Sequence, residues 1–248
     1  MKFDIVTIFP RMFEAPLAEG IVGRAIARGL VDLRVRDLRD FTEDRHRTVD
    51  DVPFGGGPGM VLKAKPLVEA VEAIRRERGE PSVVILTSPQ GRVFSQAEAG
   101  RLSRLPHLVV ICGRYEGVDE RVRQRLNTEE LSIGDYVLSG GELPALVILD
   151  AVARLIPGAV GDEQSVECDS FSRGLLDFPQ YTRPAEFEGL KVPEVLVSGH
   201  HGEIRRWRKR EALRRTLERR PELLAGAELD EEDRALLDEL NATVRRPD

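Results

Sequence analysis

Two cysteines in 248 residues, Cys112 and Cys168, are too few for a disulfide framework. Neither stands in the Cys-x-x-Cys pair that would mark a zinc or redox site. Lysine is also scarce, at positions 2, 63, 65, 191 and 209, so the basic residues are overwhelmingly arginine. Long apolar runs are missing, and none approaches the roughly 20 residues that span a bilayer. The N-terminal run Ile5 to Phe9 is closed by Pro10 and Arg11, too short for a secretory leader, and reads as a first strand. No Gly-x-Gly-x-x-Gly fingerprint occurs, which weighs against a nicotinamide or flavin enzyme. Gly59-Met60-Val61 lacks the Gly-Lys-Ser/Thr ending of a phosphate-binding loop. Repeats and low-complexity tracts are absent as well. Together these absences leave an ordinary globular protein in a reducing, cytoplasmic setting, with no membrane association.

The formal net charge of −6 argues, as an average, against a nucleic-acid partner. Its distribution reverses that reading. From Ile204 to Arg220 nine basic residues face two acidic ones, whereas Glu222 to Glu239 holds eight acids and one base. Two acids cannot neutralise nine bases, and a phosphate backbone can. Trp207 is the one aromatic in the basic stretch, and the apolar positions there form no single clean stripe. A solvated helix is the ordinary alternative. His200-His201 has no third metal-spaced partner and reads as a surface turn.

The first half alternates strand-like and helical runs, the pattern of a parallel α/β sheet. Strands are expected at Asp4 to Phe9, Leu33 to Arg36, Val83 to Ser88, Leu108 to Cys112 and Leu131 to Leu138. Helices are expected near Gly20 to Arg28, Pro66 to Arg78, Ser95 to Arg104 and Val118 to Leu126. The third and fourth strands are continuously apolar, as strands covered on both faces should be. Glycines follow or interrupt the last three strands at Gly91, Gly113 and Gly134, where open α/β sheets bind ligands. Glu142 to Ile156 is apolar almost all round, the profile of a helix buried in a core or against another subunit. The chain is expected to divide into a domain at 1–160, a linker at 161–169 and a smaller, mainly helical domain at 170–248.

Three segments suit ligand chemistry. Ile133 to Pro144 joins a strand to the apolar helix, and its glycines permit close backbone approach. By itself it leaves a ligand site and a tight connection equally open. Gly113-Arg114-Tyr115-Glu116-Gly117-Val118-Asp119-Glu120 is a second such turn. Asp119 and Glu120 suit a helix start through the macrodipole; Glu116, between glycines at a strand end, is the less ordinary acid. Asp44 to Asp51 leads into Pro53 to Gly59, a mobile lid or a plain surface loop. Spacing alone makes Arg154 the helical partner of Asp150, and makes Asp169 a linker acid or an N-cap for a helix near Ser170.

Taken together, the stretches Arg45 to Asp51, Gly55 to Met60, Ser88 to Gly91, Gly113 to Gly117, Ser132 to Pro144, Asp169 to Phe171, Tyr181 to Pro184 and Glu203 to Arg208 resemble one family. It is the bacterial tRNA (guanine-N(1)-)-methyltransferase (TrmD) family of the trefoil-knotted SPOUT class. The resemblance runs in order along nearly the whole chain. It implies a knotted parallel sheet binding S-adenosylmethionine, with a wall from Ser88, Pro89, Gly113, Tyr115, Glu116 and Ile133, Gly134, Asp135, Tyr136, Val137, Leu138, and with Gly140, Gly141 and Pro144 close by. RNA contact would fall to His46, Arg205, Arg206, Trp207 and Arg208. A homodimer with active sites between subunits, and a magnesium ion near Glu116, are implied too.

The implied substrate is the guanine immediately 3′ of the anticodon, whose methylation supports reading-frame maintenance. The implied general base is Asp169. Its ordinary pKa of about 3.9 is low for that task, and burial at a subunit interface should raise it. Arg154 is implied to stabilise the charge that grows on the guanine carbonyl oxygen. Two other readings stand beside this one: a SPOUT methyltransferase acting on another RNA, such as ribosomal RNA, and a non-catalytic RNA-binding SPOUT protein. A soluble metabolite enzyme ranks third.

Overall fold

The computed structural model describes residues 1–161 and 169–244. The chain divides into two compact units, Met1–Gly161 and Asp162–Asp248. Most of the linker expected at 161–169, together with Cys168, lies outside the described residues.

In the first unit five strands form one sheet: β1 (Lys2–Thr7), β2 (Asp32–Asp37), β5 (Val83–Val93), β6 (His107–Cys112) and β7 (Glu129–Ser132). Every pairing is parallel, in the order β2-β1-β6-β5-β7. Two short strands, β3 (Asp50–Asp51) and β4 (Val61–Leu62), pair separately in antiparallel fashion. Helices α1 (Glu14–Ala18), α2 (Gly20–Ala27), α3 (Ala64–Arg78), α4 (Gln96–Ser103), α5 (Glu120–Leu126) and α6 (Glu142–Ala153) complete the unit. Ser95 caps α4 by accepting from Glu98 N–H, and Asp119 caps α5 by accepting from Arg121 N–H.

Strand alternation sends successive residues to opposite faces, which is why a doubly covered sheet needs continuous apolar runs. Phe3, Ile5, Ile85, Leu108 and Val110 enter one core with Ala25, Leu102 and Ile148 from α2, α4 and α6. Val6, Leu86, Val109 and Ile111 enter the other with Leu67, Val71 and Val122 from α3 and α5. The β5–β6 connection through α4 and the β6–β7 connection through α5 therefore leave on opposite faces. A crevice opens at the carboxyl ends between such connections.

Buried charge also lies on the second face of the sheet. Asp4, wholly buried, accepts from Arg36 and lies 3.0 Å from both Arg78 Nε and His107 Nε2. It ties β1 to β2, α3 and β6.

The last sheet strand is shorter than the apolar pattern predicts. β7 stops at Ser132, because Gly134 takes φ +148° and Tyr136 N–H turns back to the Gly134 carbonyl. Residues 133–138 are a loop, not strand.

In the C-terminal unit the expected helix near Ser170 is instead a turn, closed by Ser172 N–H on the Asp169 carbonyl. A hairpin, β8 (Glu186–Phe187) with β9 (Leu190–Lys191), follows before α7 (Glu194–Val197), α8 (His201–Arg219) and α9 (Glu231–Val244). Prolines 179, 184 and 193 explain why the first third of this unit is not helical. The acidic tail, which carries no motif in the sequence, has a structural role. Leu236 and Leu240 of α9 pack with Leu213 of α8 and Leu175, and its acids pair with the basic helix. Arg206 bonds Glu239, and Lys209 reaches Asp230, Glu232 and Asp233.

Candidate active site

A cleft of about 170 Å³ opens at the carboxyl ends of β5, β6 and β7. It gathers Ser88, Pro89, Gly113, Tyr115, Glu116, Ile133, Gly134, Tyr136, Val137, Leu138, Gly140, Gly141 and Pro144. These are the residues singled out in the sequence for a cofactor, except Asp135, which lies outside the lining. Arg154 and Asp169 are not among the lining residues either. Thr87, Gln90, Arg114 and Ser139 also line the cleft, though none of them is among the expected cofactor residues. Gln90, Arg114 and Ser139 lie inside the glycine-bearing stretches and Thr87 immediately precedes Ser88-Pro89, so adjacency is the available signal.

The geometry of the cleft rests on backbone packing. Gly141 N–H donates to the Gly113 carbonyl at 2.8 Å. A β-carbon on Gly141 would overlap Thr87 Oγ1 and fall 2.7 Å from Gly113 N and 2.8 Å from Cys112 Cα. Only glycine fits there. Thr87 Oγ1 in turn accepts from Gly113 N–H at 3.2 Å and donates to the Ile111 carbonyl at 3.2 Å.

The walls are electrostatically uneven. Glu142, at the first turn of α6, is completely buried. It accepts from Thr7 Oγ1 at 2.7 Å and from Arg114 Nε at 2.8 Å. Cys112 beside it is pushed to a high pKa by burial and by the Glu142 charge. Tyr115 holds a left-handed backbone (φ 60°), and its phenol pKa is raised by burial and by the Asp50 carboxylate. The Glu116 side chain lies against Gly59, and Glu116 N–H donates to the Met60 carbonyl at 3.0 Å. The glycine-rich loop thus abuts the cleft mouth. His46 lies exposed in the loop before it, its N–H on the Asp44 carboxylate at 2.9 Å. Among the described residues no group of three or more His, Cys, Asp or Glu is placed to hold a metal ion.

Arg154 ends α6, with its N–H on the Asp150 carbonyl at 3.2 Å. Asp169 belongs to the C-terminal unit and lines a larger cavity there, of about 820 Å³. That cavity presents Phe178, Tyr181, Trp207, Arg183, Arg205 and Arg208, and no glycine turn contributes to it. Arg206 faces outward to Glu239.

A doubly covered parallel sheet whose carboxyl-end crevice is walled by two close-packed glycine turns defines an α/β domain of the class that binds ligands at that crevice, here followed by an arginine-rich unit. More particularly, the chain belongs to the tRNA (guanine-N(1)-)-methyltransferase family. The family model described as tRNA (Guanine-1)-methyltransferase TrmD matches residues 1–226. The tRNA (guanine-N(1)-)-methyltransferase of Pelotomaculum thermopropionicum is 56% identical over 249 residues, spanning 100% of this chain and 99% of its own. Those of Dictyoglomus turgidum and Halalkalibacterium halodurans are each 54% identical, over 99% and 97% of this chain and 98% of their own lengths.

Proposed function

We propose that this chain transfers a methyl group from S-adenosylmethionine to N1 of the guanine immediately 3′ of the anticodon in tRNA. The observation that carries the reading is the coincidence of full-length family membership with a cleft built from the glycine turns at the sheet's carboxyl ends. The residues suit the methyl donor. Pro89, Leu138 and Pro144 offer apolar surface to an adenine ring, and Glu116 offers an anionic group to the cationic part of the molecule. At about 170 Å³ the cleft is tighter than the roughly 300 Å³ at the small end of ligand pockets. The Tyr136 ring, half exposed and lying against Gly134, is the wall that would swing to admit the donor.

S-adenosylmethionine supplies an already activated methyl group, so transfer needs alignment more than covalent help. The chain's own work lies on the guanine. Asp169 takes the N1 proton as general base, and Arg154 stabilises the negative charge that gathers on the carbonyl oxygen. A magnesium ion would be held by the Glu116 carboxylate, enough only if substrate or water completed its shell.

The further architecture follows from the same reading. After the edge strand β7 the chain returns to set Gly140 against Arg114 and Gly141 against Thr87 and Gly113, the passage a knotted connection would make. Leu143 and Val147 leave an exposed apolar face on α6, which supports a homodimer. His46, Arg205, Arg206, Trp207 and Arg208 are the RNA contacts, and a tRNA substrate puts the enzyme in the cytoplasm. No helix among the described residues is long and apolar enough to cross a membrane. Incubation with methyl-labelled donor and two tRNA transcripts, one carrying that guanine and one with adenine in its place, tests the proposal. Label should enter the first only; equal labelling of both would refute the assigned base.

A further inference from the structure

The cleft wall is anchored to the interior of the first unit through Arg114. Arg114 follows Gly113 at the end of β6 and points back into the first unit. Its Nε donates to Glu142 Oε2 at 2.8 Å, and its Nη1 donates to the Ser139 carbonyl at 2.9 Å. The guanidinium stacks 4.5 Å from the centre of the Phe9 ring. The other Glu142 oxygen takes the Thr7 hydroxyl, so β1, β6 and the start of α6 converge on one carboxylate. Arg114 and Gly140 also form an antiparallel bridge, and a β-carbon on Gly140 would overlap the Arg114 side chain.

Burying a carboxylate completely is costly unless it is paired and hydrogen-bonded. Packing alone would be served at least as well by apolar residues here. What the pair adds is a fixed direction: a planar fork with one donor on Glu142 and another on a main-chain oxygen of the cleft wall. We infer that Arg114 is a positioning residue for methyl-donor binding, holding Ser139 and Gly140 in the conformation the donor requires. Glu142 and Thr7 hold Arg114. The inference rests on reading the cleft as the donor site.

Calorimetry with S-adenosylmethionine and thermal denaturation on the full-length protein test it. The forms compared are wild type, Arg114→Lys, Arg114→Met and the double variant Arg114→Met with Glu142→Gln. Arg114→Met leaves a buried carboxylate without its cation, so both stability and affinity fall. The double variant removes that charge and regains melting temperature. Its dissociation constant stays at least about tenfold above wild type, because the Ser139 carbonyl has lost its charged donor. Arg114→Lys keeps the charge without the fork and shows the same separation. In turnover, KM for the donor rises while kcat changes little.

A double or Lys variant that binds the donor as wild type does would overturn the inference and leave an ion pair of structural use only. Should the double variant not fold, the Lys variant decides alone. Failure of the wild-type protein to bind the donor would sink the reading of the cleft itself, and it shows before any substitution is made.

Discussion

Gly141 meets Thr87 with no room between them: a β-carbon on Gly141 would overlap the Thr87 hydroxyl. Gly141→Ala should therefore force the two strand-end turns apart. Overpacking of this kind costs about 1–3 kcal/mol, read as a lower midpoint in urea, and donor affinity should fall more than tRNA affinity. Adding Thr87→Ala should restore only part of the loss, because Gly113 N and Cys112 Cα, both backbone, crowd the same position. Full restoration by the double substitution would show that the backbone contacts do not matter.

The basic helix α8 is sorted by its neighbours. Arg214 is held by Glu211 at 2.6 Å and Glu218 at 2.9 Å, whereas among the described residues Arg205 and Arg208 enter no ion pair. Arg205→Ala should weaken tRNA binding and lower the slope of log affinity against log salt by about 1, as loss of one phosphate contact does. Arg214→Ala should leave the slope unchanged. Filter binding across a salt series distinguishes them, and equal slopes for the two variants would contradict the sorting.

Acid should act on the C-terminal unit through Asp230. Its carboxylate accepts from Lys209 Nζ at 2.6 Å and from Asp233 N–H at 2.8 Å, and these partners hold its pKa down to about 2 from 3.8. Because the folded value is depressed, the stabilisation is complete above about pH 4 and is lost as pH falls toward about 2. Asp230→Asn should melt lower than wild type near neutrality, with the gap closing on acidification. A gap independent of pH would exclude this carboxylate as the source.

Much of this was legible in the sequence, and the limits are physical. The alternating cores around Ile85, Leu86, Val109 and Val110 follow directly from continuous apolar strands between helices. Glycine turns at strand ends placed the cleft. What periodicity cannot carry is contact across the chain: Glu142 bonds Thr7, 135 residues away, and Arg114, 28 away. Nothing local announces either partner. Leu131, Ile133 and Tyr136 to Leu138 give the run 131–138 a strand-like sequence, yet the Gly134 backbone ends the strand. Two of the nine bases from Ile204, Arg206 and Lys209, are answered by acids that come later in the chain, Asp230 just before α9 and Glu232 and Glu239 on it.

The most direct test of the account is mass spectrometry of nucleosides from undermodified tRNA incubated with the protein and S-adenosylmethionine, beside Asp169→Ala. Wild type should yield 1-methylguanosine at the position 3′ of the anticodon. The variant should bind the donor normally yet form product at least about 100-fold more slowly, the usual size of a general-base contribution. Absence of 1-methylguanosine with wild type, or a different methylated base, would contradict the assigned reaction; a wild-type rate in the variant would remove Asp169 from it.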